Sequence, residues 1–263
     1  MSTFKYAFLG CTNYSAQLLE FLIFKGYRPS AIFSIPRKFG ISYSEELVTN
    51  TNFSDLSTYA EELEIPYFEV ESGRGKTLPE YSKEISTMDL DLLLVLGWYY
   101  MILRKIRQLT RYGAWGIHAS KLPKYAGGAP LNWAMINGES ETGVTLFRME
   151  DGVDNGDIIS QKVFPIDYED TIADVYQKAT EKSKEILLEC FSNPLNVSFT
   201  AQDEKKIEVY PQRSAKDGEL DLSMSSLDMY NFIRAQAPPY PGAYIRTTDG
   251  KKLIIEKCRV EDL

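Results

Sequence analysis

The stretch DLLLVLG, residues 91–97, is apolar at five positions in a row instead of at every second one. A strand with one face in water alternates, so an unbroken run predicts a central strand covered on both faces, as in a parallel sheet flanked by helices. The chain ahead of it supplies such helices. FKYAFLG (4–10) is a strand-like run closing on glycine, and SAQLLEFLIFKGY follows with Leu18, Leu19, Phe21, Leu22 and Phe24 at helical spacing and Gly26 as a stop. A strand over 30–35, a helix near 55–63, a strand near 66–70 and a helix near 79–86 continue the pattern. Strands alternating with helices predict an α/β fold, a doubly wound, mostly parallel Rossmann-like sheet.

GAWGI (113–117) reads as one more strand, which puts His118 at its carboxyl end. Ligands of open α/β sheets bind beyond the carboxyl ends of strands. His118 is the only histidine in the chain. Either it fills a packing slot, or it does proton chemistry in a loop stiffened by proline and glycine.

After residue 133 the texture changes. TGVTLFRM (142–149) and GDIISQKVFPI (156–166) alternate as strands do, and residues 171–191 form an amphipathic helix. The polar stretch 192–206 reads as a linker, giving a catalytic domain over 1–195 and a small C-terminal α+β domain over 205–263. The latter holds a helix in SSLDMYNFIRAQA and two strand-like runs that DGK (249–251) turns into a hairpin.

Composition excludes several classes. The net charge of −8 makes the chain a poor general partner for nucleic acid, whose phosphates need Lys and Arg. No apolar run is long enough to span a bilayer, and the N-terminus lacks a signal-peptide pattern, so no membrane is expected and a cytoplasmic location is the default. Cys11, Cys190 and Cys258 are far apart and odd in number, which predicts neither a disulfide framework nor a metal cluster. The acidic stretch EDGVDNGD carries Asp151, Asp154 and Asp157 without the spacing of a calcium loop, so no metal is expected. The first strand-to-helix turn, GCTNYSAQLL, is neither a dinucleotide fingerprint nor a P-loop. Gly10 either merely turns the chain there, or a helix start with Thr12, Asn13 and Ser15 receives an anion.

The block from 118 to 160 resembles the signature of formyltransferases that use N10-formyltetrahydrofolate, a family including methionyl-tRNA formyltransferase and the sugar N-formyltransferases. The resemblance rests on His118, Ser120, Leu122, Pro123, Gly127, Ala129, Pro130, Gly138, Thr142, Gly143, Val144, Thr145, Asp154 and Gly156, with 36 residues from His118 to Asp154. It implies acyl transfer: an amine attacks the formyl carbon, a base takes its proton, and an oxyanion develops. His118 is then the base, with Asp154 holding and polarising it. LLLVLGWYYMI resembles the folate-side strand and loop, which assigns Leu96, Gly97, Trp98 and Met101 to the folate, together with Gly152 and Val153. The C-terminal segment from YPQR to PPYPGAY resembles that of the sugar enzymes.

Two departures stand out. The family's asparagine two residues before the histidine is Gly116 here, and the arginine it often has before Gly127 is Ala126. Losing one oxyanion donor typically costs roughly 10²–10³ in turnover. Ser120, a backbone N–H, a water or protonated His118 is the candidate replacement, and shared strand alternation would put 116, 118 and 120 on one face.

The acidic balance and the lack of a basic field in the last 60 residues favour a nucleotide-linked amino sugar over tRNA. For that acceptor Thr12 and Asn13 are candidates at the first helix. Arg213 and Arg234 are candidates for its diphosphate or are solvated charges, and Tyr125 and Tyr240 stack on base or sugar or pack in loops. The expected partners are this sugar and the folate, with no nucleic acid, no membrane, and a homodimer as the candidate assembly. The rival readings are a methionyl-tRNA formyltransferase-like enzyme, a formyl-folate hydrolase and a non-catalytic binding protein.

Overall fold

Leu92–Val95 is a strand whose four side chains are all buried. Leu92 and Leu94 join Tyr6 and Phe8 in one core, whereas Leu93 and Val95 join Ala7 and Leu9 in another on the opposite face. Each fully buried leucine contributes about 1.5–3 kcal/mol, so neither face of this strand tolerates a polar residue.

The computed structural model describes residues 4–41, 44–71 and 75–262; the outermost residues of the two expected domains, 1–3 and 263, lie outside them. In chain order the strands are β1 (Tyr6–Leu9), β2 (Ala31–Ser34), β3 (Lys38–Ile41), β4 (Ser44–Thr49), β5 (Tyr67–Glu69), β6 (Leu92–Val95) and β7 (Ala114–His118). They continue with β8 (Ala126–Gly127), β9 (Glu141–Arg148), β10 (Ile158–Pro165), β11 (Val209–Tyr210), β12 (Ala243–Arg246) and β13 (Lys252–Ile255). The helices are α1 (Asn13–Phe24), α2 (Ser57–Leu63), α3 (Ser82–Thr87), α4 (Arg104–Arg107), α5 (Pro130–Ile136), α6 (Ile172–Ser192) and α7 (Ser226–Arg234).

The central sheet runs β10-β9-β7-β6-β1-β2-β5. Its β7-β6-β1-β2-β5 part is parallel, and β9 and β10 add an antiparallel edge. This is the mostly parallel, doubly wound α/β fold that the alternation predicts. Leucines of α1 and residues of α5 and α6 cover one face, and Ile85 of α3 with Ile106 of α4 helps cover the other. Since β1 lies between β2 and β6, the winding reverses there, at the carboxyl ends of β1 and β6.

Two local elements were not legible in the sequence. The hairpin β3–β4 follows β2 directly, and Phe39 buries with Cys11 and Ile35 in a small satellite core. The stretch read as a linker carries ladder contacts, since Thr200 and Ile158 exchange backbone hydrogen bonds at 2.8 Å. The C-terminal segment has a core of its own around Leu220, Phe232, Ile233 and Ala243. It is also stitched to the rest, because β11 adds in parallel to β8 and Trp133 Nε1 donates to Pro211 O at 2.9 Å.

Candidate active site

His118 ends β7, and its side chain is 11% exposed. Nε2 lies 2.7 Å from the carbonyl oxygen of Tyr125. A carbonyl only accepts, so Nε2 carries the proton in that bond. Nδ1 lies 3.4 Å from Oδ2 of Asp154. The same carboxylate oxygen accepts from Gly127 N at 2.8 Å. Tyr125 and Asp154 both adopt left-handed backbone, with φ of 58° and 48°. Such conformations persist only where surroundings impose them, and they cluster at functional sites.

The surroundings are in place on both sides. Thr145 of β9 donates its hydroxyl to Ser120 O at 2.7 Å. Gln161 of β10 donates to Leu122 O at 3.0 Å and to Thr145 Oγ1 at 2.8 Å. The antiparallel edge of the sheet thereby fixes the loop that aims Tyr125 O at the imidazole. On the other side, Gln202 Nε2 bonds the carbonyls of Asp154 and Gly156 at 2.7 Å each. Sequence reasoning missed Gln161 and Gln202, whose partners lie 39 and 48 residues away.

The three aspartates of the acidic loop have separate partners. Asp151 bonds Arg107 and Arg104, and these hydrogen bonds hold its carboxyl below the usual carboxylate range. Asp157 pairs with Arg148 at 2.8 Å. Only Asp154 reaches the imidazole. Among the described residues, no group of three or more His, Cys, Asp or Glu is arranged to hold a metal ion.

Several sequence-based assignments are corrected by their hydrogen bonds. Ser120 is fully buried and donates to Lys124 O at 2.7 Å, because the chain leaves the strand after His118 and the alternation that would align it with the imidazole stops. Gly116 faces apolar neighbours. A Cβ there would meet Met149 and Phe147 at 3.5 Å, ordinary contact with apolar walls. Thr12 caps α1: its hydroxyl accepts from Ser15 N at 3.2 Å and lies 2.9 Å from Ser15 Oγ. Asn13 N is spent on Asn52 O at 2.9 Å, so the first turn of α1 has little left for an anion; the Asn13 side chain is exposed.

Arg234 is buried and turned inward, donating to the carbonyls of Asp167 and Asp170 at 2.8 and 3.1 Å. The Tyr125 ring is also buried, 4.8 Å from the Tyr210 ring, with its hydroxyl on Glu139. Burial raises that hydroxyl's pKa. Tyr125 thus meets the imidazole through its carbonyl, while its ring packs against Tyr210. Arg213 and Tyr240 border a small cavity together with Asn132 and Gln236.

At the carboxyl end of β6, Leu96 is buried and its carbonyl accepts from Ser15 Oγ at 2.6 Å. Gly97 has φ of 64°, and a Cβ there would lie 2.2 Å from Thr12 Oγ1, so only glycine fits. Trp98 Nε1 is buried with no hydrogen-bond partner among the described residues. Met101 and Val153 stand 65% and 49% exposed on the two loops that the Arg104–Asp151 pair joins. Gly152 lies against the side chain of Asn155.

Residues 46–191 match the family described as formyl transferase. The chain is 31% identical over 254 residues to the methionyl-tRNA formyltransferase of Lactobacillus johnsonii, covering 96% of this chain and 78% of that protein. The fold is similar to that of a 4-N formyltransferase from Francisella tularensis, with a TM-score of 0.72, 18% identity and full coverage of both chains. It is also similar to that of an N-formyltransferase from Helicobacter canadensis in complex with folinic acid and dTDP-3-aminofucose, with a TM-score of 0.67, 21% identity and coverage of 88% of this chain and 80% of that one.

Proposed function

Because this chain belongs to the formyl transferase family and is an enzyme that transfers formyl groups, we propose that it moves a formyl group from N10-formyltetrahydrofolate to the amine of a nucleotide-linked amino sugar. The observation that carries the chemistry is the His118–Asp154 contact at 3.4 Å. With Nε2 holding its proton toward Tyr125 O, the lone pair of Nδ1 is the basic site. A proton taken there from the attacking amine lies between imidazole and carboxylate, so an acceptor-to-acceptor contact becomes an ion pair, and the proton then passes to the folate nitrogen as its bond to the formyl carbon breaks. Gly127 N–H holds Asp154 in place for that exchange.

The folate supplies an activated formyl carbon. The residues expected to hold it suit a flat fused ring: Met101 and Val153 offer exposed apolar surface, and the indole N–H of Trp98 lacks a partner among the described residues. Leu96, Gly97 and Gly152 shape the backbone around them. For the acceptor, the net charge of −8 weighs against a polyanionic tRNA, and the cavity bordered by Arg213 and Tyr240 supports a small sugar. The similarity in sequence to methionyl-tRNA formyltransferases, at 29% and 31% identity, favours a second reading, methionyl-tRNA.

The test follows folate absorbance with N10-formyltetrahydrofolate alone, with a panel of nucleotide-linked amino sugars, and with methionyl-tRNA. The proposal expects release only with an amino sugar. Release without acceptor means a hydrolase, release with the charged tRNA means the second reading, and binding without release means a non-catalytic protein. No helix among the described residues is long and apolar enough to cross a membrane.

A further inference from the structure

Asn132 is 1% exposed on α5, and its Nδ2 donates to Ala235 O at 2.7 Å. That carbonyl only accepts, which fixes the orientation of the amide. The oxygen, Oδ1, is buried and has no hydrogen-bond partner among the described residues. A buried acceptor left unpaired costs about 1–3 kcal/mol, so an exception needs a reason. The reason offered by the surroundings is a cavity of about 140 Å³ that Asn132 lines with Arg213, Gln236 and Tyr240.

Arg213 and Gln236 add donors beside Asn132, and the hydroxyls of Ser214 and Tyr240 can both donate and accept. Arg213 donates to Asp217 O at 2.6 Å and to Gln236 Oε1 at 3.3 Å, lies over the Trp133 ring at 4.7 Å, and makes no ion pair among the described residues. Gln236 Nε2 has only a marginal contact of 3.5 Å with Phe232 O. The wall of the cavity therefore brings together a residue with a buried unpaired acceptor and two residues with underused donors. An anion alone is repelled by Oδ1, and a lone cation by Arg213. Two neighbouring hydroxyls, each able to donate and to accept, match the set. At about 140 Å³ the cavity is smaller than a typical ligand pocket, with room for one edge of a sugar ring and not for a whole nucleotide sugar.

The cavity is close to the reacting pair without including it. Gly128 packs so tightly on Gln212 that a Cβ would lie 2.4 Å from that backbone. Gly127, which holds Asp154, and Arg213 are the next residues on either side, so their Cα atoms are within roughly 12 Å.

We infer that Asn132, with Arg213 and Gln236, forms a subsite that grips neighbouring ring hydroxyls of the acceptor and so selects which amine reaches His118. The inference rests on the amino-sugar reading. Asn132 acts here as a specificity residue that never touches the reacting atoms.

The experiment titrates the full chain calorimetrically with dTDP-3-aminofucose, other nucleotide-linked amino sugars, and analogues of each bound sugar lacking one ring hydroxyl. The wild type is expected to lose on the order of tenfold to a hundredfold in affinity for at least one deoxy analogue. Asn132→Leu should bind the parent sugar as weakly as the wild type binds that analogue and should no longer tell the two apart, with folinic acid affinity unchanged. Equal affinity of the wild type for all deoxy analogues overturns the inference, whether or not the variant folds. So does discrimination that survives in a folded Asn132→Leu; in both cases the amino-sugar reading stands. If the wild type binds no amino sugar, the inference and that reading fall together.

Discussion

Two corners of the sheet, both at carboxyl ends of parallel strands and both rich in glycine, have opposite fates. At the corner of β1, β6 and α1, polar groups answer one another. Ser15 Oγ donates to Leu96 O at 2.6 Å while the N–H groups of Cys11 and Thr12 donate to it at 3.2 and 3.1 Å. At the corner after β7, His118 keeps one nitrogen on a carbonyl and turns the other to a carboxylate that is only near it. Both corners look like sites in the sequence. The lesson is that a polar strand end is reactive in proportion to the hydrogen-bonding capacity its own fold leaves over.

The strongest way to break this comparison is to exchange the two corners by mutation. His118→Asn should lower formyl transfer by about 10²–10⁴ while leaving the thermal unfolding curve in place, because the imidazole carries little of the core. Near-normal turnover in the folded variant would return His118 to a packing role. Ser15→Ala should do the reverse, costing roughly 1–3 kcal/mol of stability with turnover per folded molecule unchanged. A stable but inactive Ser15→Ala would show that the first corner is a working site after all.

A finer cut runs within the acidic loop. Asp154→Asn should lower turnover by roughly tenfold to a hundredfold, the worth of a charged hydrogen bond, and more than Asp157→Asn does. Equal losses at 151, 154 and 157 would mean that the loop, and not one carboxylate, is what matters. Asp151→Asn sharpens the contrast through pH. Its carboxyl is held low by Arg107 and Arg104, so its contribution is complete above the ordinary carboxylate value of about 3.9 and is lost as pH falls through the lower folded value. The difference in melting temperature between wild type and Asp151→Asn should be flat near neutrality and shrink only in acid. A difference that fades between pH 5 and 7 would contradict it.

The smallest effect is chemical. Cys11 belongs to the closed corner, and burial pushes its thiol up to about 12, with Cys190 up to about 11. Iodoacetamide at pH 8 should therefore label half-buried Cys258 first. Rapid labelling of Cys11 in the native protein would mean that this corner opens.

The central strands were legible because a two-sided apolar run has few other homes, and His118 and Asp154 stood out as the lone imidazole and one of three aspartates in a long motif. What stayed hidden was pairing over distance. Nothing local in the sequence tells that Thr145 and Gln161 brace the loop after His118, that Arg234 turns inward, or that Ser120 is consumed by Lys124 O. The β3–β4 hairpin was missed because its partly exposed strands show little of the alternation that marks a half-buried sheet. Gly116 was readable as a departure, but the apolar walls that Phe147 and Met149 build beside it were not.

The union of β8 with β11 also sets a timetable. Gly127, whose N–H steadies Asp154, pairs with Tyr210, and Trp133 reaches Pro211 across 78 residues of chain. Contacts of such separation form late, after the local helices and the early strands have closed their own short loops. During synthesis from the N-terminus, His118 and Asp154 both leave the ribosome well before the strand that flanks them. The nascent protein thus holds its reactive groups while still lacking the segment that completes their surroundings, and it gains that flank only once residues 209–213 have emerged.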